Sequence, residues 1–119
     1  MTNRVDKPWG FYEDYFRNKD VVFKKIVVLP NEKLSYQFHL KRGEFWYIYN
    51  GEGILTHSDI AGRYERHVKS GNYVIIDIEE KHMIECNSDE PLVIYEMQFG
   101  ECSEDDIIRL EDKYGRIEE

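Results

Sequence analysis

The stretch Gln37-Phe38-His39-Leu40-Lys41-Arg42-Gly43-Glu44-Phe45-Trp46-Tyr47-Ile48-Tyr49-Asn50-Gly51 decides how the rest of the chain is read. Gln37, His39 and Glu44 each carry an atom that can ligate a metal. Gln37 and His39 stand two apart, so on a strand both side chains leave the same face. Glu44 follows a short turn marked by Gly43. Further on, Gly71 opens an apolar strand that leads to His82, the fourth member of the set. Imidazole, carboxylate and amide oxygen from adjacent strands can converge on one divalent cation inside a small β-barrel. With no thiolate among the donors, Zn is the simplest expectation, and Mn, Fe, Co or Ni suit the same set. Three or four protein ligands leave positions open for substrate oxygens, the arrangement of a catalytic metal.

The rest of the composition agrees with a compact β domain. The 119 residues are enough for one domain with a real core, and 41% are hydrophobic. Nine Tyr, six Phe and two Trp favour strands around a lined cavity. A net charge of -8 argues against a nucleic-acid binder, which needs clustered Lys and Arg. It leaves room for a local basic pocket that holds one small phosphate. No apolar run is long enough to span a membrane, and the opening residues lack the apolar core of a signal peptide. Cys86 and Cys102 form no CxxC pair and are read as reduced thiols, so a cytoplasmic setting is expected.

Short β-rich runs are separated by turn residues along nearly the whole chain. Strands are predicted over Tyr12 to Phe16 (an edge), Val21 to Leu29, Leu34 to Leu40 and Phe45 to Tyr49. Asn50-Gly51 gives the strongest short hairpin signal. Ile54 to Ser58 and Arg63 to Val68 read as a hairpin, followed by strands at Tyr73 to Ile78, Met83 to Cys86 and Leu92 to Phe99. This spacing suggests a sandwich or barrel. Ser103-Glu104-Asp105-Asp106 reads as a capping box, and Ile107, Ile108 and Leu110 as an apolar face. A short C-terminal helix from about Glu104 to Glu111 is therefore predicted.

These motifs resemble those of the cupins. The first cupin motif is a glycine, five residues, His-x-His, three or four residues, Glu, six residues and Gly. Here Asn31 is followed by five residues, Gln37-x-His39, four residues, Glu44, six residues and Gly51. The second motif is a glycine, five residues, Pro-x-Gly, two residues and His, and here Gly71 leads through Asp77-x-Glu79 to His82. A Gln at the first ligand position resembles phosphomannose isomerases. Four segments resemble the C-terminal cupin domain of the bifunctional mannose-6-phosphate isomerase/mannose-1-phosphate guanylyltransferase family. They are Lys7-Pro8-Trp9-Gly10, Leu34 to Trp46, Glu96-Met97-Gln98-Phe99-Gly100, and Glu104 to Arg116. The departures are Leu40 and Lys41 where the family runs further His, Phe45 in its Glu-His-Trp, and Asp77-Ile78-Glu79 for its Pro-x-Gly.

The resemblance implies an all-β jelly-roll barrel over residues 1–119, binding one metal through Gln37, His39, Glu44 and His82. The implied activity is aldose–ketose isomerisation of a hexose 6-phosphate, a small-molecule substrate. It needs a base within reach of C1 and C2, and Glu96, Lys41 and His57 are the candidates. Arg42 belongs with the catalytic group, and Arg109 and Arg116 match family positions suited to gripping phosphate. An alternative place for Arg109 is a helical pair with Asp105. Trp46 should point inward, either filling the barrel or stacking on the sugar. Tyr47 and Tyr49 should face outward, where a second subunit is expected to form a homodimer. His67 is read as a surface residue. Two other functions compete with the isomerase: a sugar-binding cupin that kept the metal and lost the base, favoured by Leu40, Lys41 and Phe45, and an Fe(II) oxygenase.

Overall fold

The computed structural model describes residues 3–103 and 105–116. Eleven strands follow one another: β1 (Asn3–Lys7), β2 (Gly10–Arg17), β3 (Val21–Val28), β4 (Tyr36–Phe38), β5 (Arg42–Asn50) and β6 (Glu52–Asp59). Then come β7 (Gly62–Lys69), β8 (Tyr73–Ile76), β9 (Lys81–Cys86), β10 (Leu92–Gly100) and β11 (Ile108–Glu111). They form a six-stranded sheet in the order β1-β2-β3-β10-β5-β8 and a five-stranded sheet in the order β11-β4-β9-β6-β7. Every pairing between these strands is antiparallel.

Alternation along the strands builds the interior. In β5 the buried set is Arg42, Glu44, Trp46 and Ile48; in β10 it is Leu92, Ile94, Glu96 and Gln98. One end of that interior is apolar, with Ile48, Leu55, Ile84, Leu92 and Ile94 fully buried. The other end is polar. The same inward phase therefore serves a hydrophobic core at one end of the barrel and a functional cavity at the other.

Three expectations need correction. The predicted helix at Glu104 to Glu111 is a turn followed by strand β11, which pairs with β4; Glu104 itself lies outside the described residues. Ser103 still makes a local cap, since its Oγ accepts the N–H of Asp105 at 3.3 Å. The helix does not continue because residues 108–111 complete the edge beside β4 and the Asp106 carboxylate is taken by distant backbone, as described below. Second, Asn50-Gly51 does not close a hairpin. β5 pairs with β10 and β8, whereas β6 pairs with β9 and β7, so the turn carries the chain from one sheet to the other. Gly51, at φ 82°, lets this crossing pack against the carbonyl of Pro91, 2.6 Å from where a Cβ would stand. Third, the predicted edge strand lies one place inside, because β1 pairs along it.

Candidate metal centre and cavity

Gln37 on β4 stands directly opposite His82 on β9, and Arg109 on β11 stands opposite Gln37. Directly opposed residues of antiparallel strands project to one face, so these three side chains share the cavity side of the five-stranded sheet. His39 follows two residues after Gln37. Glu44 comes from the facing sheet, and His39, Glu44 and His82 bring one ligand atom each within 4.8 Å of the others. All three are buried.

The hydrogen bonds of the two imidazoles orient their ligating atoms. Nδ1 of His39 lies 2.6 Å from the carbonyl oxygen of Asp106, and Nδ1 of His82 lies 2.9 Å from that of Glu80. A carbonyl can only accept, so each neutral ring carries its proton on Nδ1 and turns the Nε2 lone pair inward. Those Nε2 atoms lie 3.2 Å and 3.8 Å from the two carboxylate oxygens of Glu44. Gln37 donates its Nε2 to the Ser35 carbonyl, which leaves Oε1 as its lone-pair end. Two oriented imidazole nitrogens, a carboxylate and an amide oxygen fit a borderline divalent ion. Burial, with the nearby charges of Arg42 and His82, pushes the His39 pKa down to about 4. Burial lowers that of His82 as well. Both rings are therefore neutral at pH 7, the form a metal requires.

Beside the ligands sits a network of buried charge. Arg42 donates Nε to Glu44 Oε2 at 3.0 Å and Nη1 to the Ser103 carbonyl at 3.1 Å. The indole N–H of Trp46 is shared between Glu44 and Glu96, 3.0 Å from an oxygen of each. Gln98 donates to the other oxygen of Glu96 at 2.6 Å. Burial, and the neighbouring negative charge of Glu44, push the Glu96 pKa up to about 7. A carboxylate poised at that value can accept or return a proton near neutrality.

A cavity of about 190 Å³ opens at this point. Five cationic side chains line it, Lys7, Lys24, Arg42, Arg109 and Arg116, against two carboxylates, Glu44 and Glu96. In a chain of net charge -8 this is a local reversal of sign. Arg109 stands on a strand, where the helical spacing to Asp105 is absent. Its Nε is buried with no hydrogen-bond partner among the described residues. Arg116 is held by Asp112 through Nε at 2.8 Å and Nη2 at 3.2 Å.

Not every candidate reaches the cavity. Lys41 does not: its side chain is exposed and its Nζ lies 3.9 Å from Glu101. It sits in the turn between β4 and β5, where its backbone N–H, not its ammonium, donates to the Asp106 carboxylate. Leu40 and Phe45 are likewise exposed, so the departures at 40, 41 and 45 lie outside the cavity wall. His57 stands opposite His82 in register, but its Nδ1 pairs with Glu80 at 3.1 Å in a separate depression. His67 is on the surface near Glu52. Trp46 is 1% exposed and packs edge-on against His82, so it is a wall and a hydrogen-bond donor. Lys24 was missed. It is 3% exposed, faces Glu96 across the sheet and lies 3.9 Å from Asp14. Its signal was a lysine in the inward phase of Val22, Ile26 and Val28, hidden by the adjacent outward Lys25.

The sequence profile of the family described as mannose-6-phosphate isomerase C-terminal matches residues 1–112. The chain belongs to this family. Its curated relatives include the mannose-1-phosphate guanylyltransferase ManC of Salmonella typhimurium, 32% identical over 118 residues, covering 98% of this chain and 24% of that protein. The alginate biosynthesis protein AlgA of Pseudomonas aeruginosa is 34% identical over 116 residues, covering 97% of this chain and 23% of that protein. The family member described here thus spans about a quarter of the length of these relatives. Among solved structures, the capsular polysaccharide assembling protein CapF of Staphylococcus aureus superposes with a TM-score of 0.82 at 16% identity, over 94% of this chain and 35% of that one. The oxalate decarboxylase of Lactobacillus farciminis gives 0.80 at 16% identity, over 92% and 33%. These likenesses establish the cupin double-stranded β-helix for the family's chain. Its all-β fold is as expected, without the short C-terminal helix.

Proposed function

We propose that residues 1–119 form one cupin domain that binds a divalent metal and isomerises a hexose 6-phosphate between aldose and ketose, as mannose 6-phosphate to fructose 6-phosphate. The observation that carries this reading is the meeting of three things in one cavity. They are an oriented His39–Glu44–His82 donor set, a carboxylate tuned to about 7 at Glu96, and an excess of cations.

A divalent ion held by Gln37, His39, Glu44 and His82 would supply Lewis-acid polarisation of the sugar's C1 and C2 oxygens. Glu96 takes the proton from C2 of the aldose and returns it to C1 while the hydroxyl proton passes from O2 to O1 across the enediolate, the direction reversing for the ketose. Arg42 neutralises negative charge beside Glu44, and Arg109 with Arg116 grips the phosphate. The exposed positions of Leu40, Lys41 and Phe45, outside the cavity wall, support the isomerase over a binder that lost its base. Zn remains the first expectation for the metal.

Metal analysis of purified protein and a coupled assay from mannose 6-phosphate to fructose 6-phosphate test the reading. One metal per chain with no turnover would leave a sugar-phosphate binding module instead. Arg109→Ala is expected to raise KM at least about tenfold, the loss of one charged hydrogen bond, with a smaller effect on kcat. An unchanged KM would remove Arg109 from the phosphate grip.

The outer face of the six-stranded sheet exposes Phe45, Tyr47, Tyr49, Tyr73 and Ile75. Such a patch supports a homodimer in which a second copy covers it. Sedimentation at micromolar concentration is expected to return the dimer mass, and a monomer mass would sink this part. Two buried free thiols, Cys86 and Cys102, suit a reducing cytoplasmic setting.

A further inference from the structure

The segment from Asp105 to Arg116 touches both halves of the cavity. At one end Asp106 makes three hydrogen bonds to the run His39-Leu40-Lys41, one of them to the ligand His39 itself. Its carbonyl accepts from His39 Nδ1 at 2.6 Å, and its two carboxylate oxygens accept the N–H groups of Leu40 at 2.8 Å and Lys41 at 2.9 Å. Three residues later Arg109 stands opposite Gln37 with its Nε buried and unpartnered among the described residues. Ile107, between them, lines the same cavity.

Apolar packing holds this segment at its far end, where Tyr114 packs against the core, and does little near the site. Ile108 and Leu110 are both more than a third exposed, at 38% and 39%. Its attachment near the site is polar: the Asp106 bonds and the short β11–β4 ladder. Farther along, Glu32 ties it through Lys113 at 2.7 Å and Tyr114 at 2.6 Å. A segment fixed by a few polar bonds has a docked and an undocked arrangement separated by a modest free energy. Only the docked one gives His39 its carbonyl partner and turns its Nε2 inward. Only the docked one places Arg109 over the cavity.

We propose that Asp106 is a positioning residue through which anion binding at Arg109 and metal binding at His39 reinforce each other. The proposal rests on the reading that the cavity takes a metal ion and an anionic sugar. An anion that satisfies the Arg109 guanidinium favours the docked segment, and a cation held by His39 favours the same state. Two ligands that favour one state bind cooperatively, and the coupling is reciprocal.

The test measures Co²⁺ affinity of the full chain by its visible absorption against a competing chelator, in sulfate and in chloride at equal ionic strength. Sulfate stands in for the phosphate dianion. The unsubstituted chain is expected to bind Co²⁺ about fivefold or more tightly in sulfate, the lower end of ordinary couplings. Asp106→Ala is expected to bind Co²⁺ about tenfold more weakly in chloride, as for loss of a group that orients a ligand, and to lose the sulfate effect. Arg109→Ala should lose the sulfate effect. Should Asp106→Ala fail to fold, Asp106→Asn, which keeps one acceptor oxygen, is read for the same two losses in smaller measure. A sulfate effect that survives at full size in the Asp106 variant overturns the proposal. So does normal Co²⁺ binding with no sulfate effect in the unsubstituted chain. Absence of Co²⁺ binding in the unsubstituted chain instead overturns the metal reading on which the proposal stands.

Discussion

On the proposed function, His82→Ala is expected to purify with less than about one-tenth of the metal carried by the unsubstituted chain, and with the proposed isomerase turnover reduced at least about a hundredfold. His82 is 1% exposed, and its Nε2 is one of the three ligand atoms that lie within 4.8 Å of one another. Its removal leaves a single imidazole beside Glu44 and Gln37, a set too poor to hold a borderline ion in competition with water. Truncating so buried a ring also leaves a cavity, costing on the order of 2–4 kcal/mol, so the measurement must include a melting curve alongside elemental analysis. His57→Ala is the internal control. His57 sits directly opposite His82 in register, yet its partner is Glu80 and it lines a separate depression. It should keep full metal content. Equal metal in His82→Ala and the unsubstituted chain would remove the site.

The contrast between those two histidines shows what could be read in advance. Ligand spacing was legible because strand period and motif length are local properties: Gln37 and His39 two apart, Glu44 beyond a turn, His82 after an apolar strand. The backbone even keeps what the motif glycines normally supply. Asn31 and Glu79 stand where the cupin pattern has glycine, and both adopt left-handed φ, at 67° and 68°. Partners distant in sequence were not legible. Nothing local says that the Asp106 carboxylate will cap the N–H groups of Leu40 and Lys41. That long-range pairing is what turned a sound capping-box signal into a turn and strand. Asn50-Gly51 misled for the same reason, since a tight turn reads alike whether it joins two strands of one sheet or crosses to another. Lys24 and Glu96 carry the subtler lesson. Both occupy inward phases of otherwise apolar strands, and a charge in such a phase is itself the mark of a cavity.

Glu96→Gln separates chemistry from metal binding. Turnover is expected to fall about 10²–10⁴-fold, the usual contribution of a positioned base, while metal content stays that of the unsubstituted chain. The substitution suits the site. Gln98 now donates to Glu96, and its own Oε1 is buried without a partner among the described residues, so a rotated Gln98 amide can accept from the new NH₂. In the unsubstituted chain, the proposed activity should rise with pH as the Glu96 carboxyl ionises, with a midpoint at or below about 7 because a bound cation favours the charged form. Stability should run the other way. With metal chelated, Glu96 has a folded pKa raised from 4.5 to about 7, so the folded chain binds the extra proton and loses stability as pH rises across that interval. The loss reaches up to about 3 kcal/mol. His39, lowered from 6.5 to about 4, has the opposite slope: it costs stability as pH falls through that window. The two effects largely offset in the unsubstituted chain between pH 4.5 and 6.5. Glu96→Gln removes one of them. Its chelated form should therefore be more stable than the unsubstituted chain at pH 8, by up to about 3 kcal/mol, and should weaken steeply toward pH 5. Urea unfolding at the two pH values with chelator present checks this. Equal stability at pH 8 would mean that the buried carboxylate is not held against its own charge, and Glu96 would lose its standing as the base.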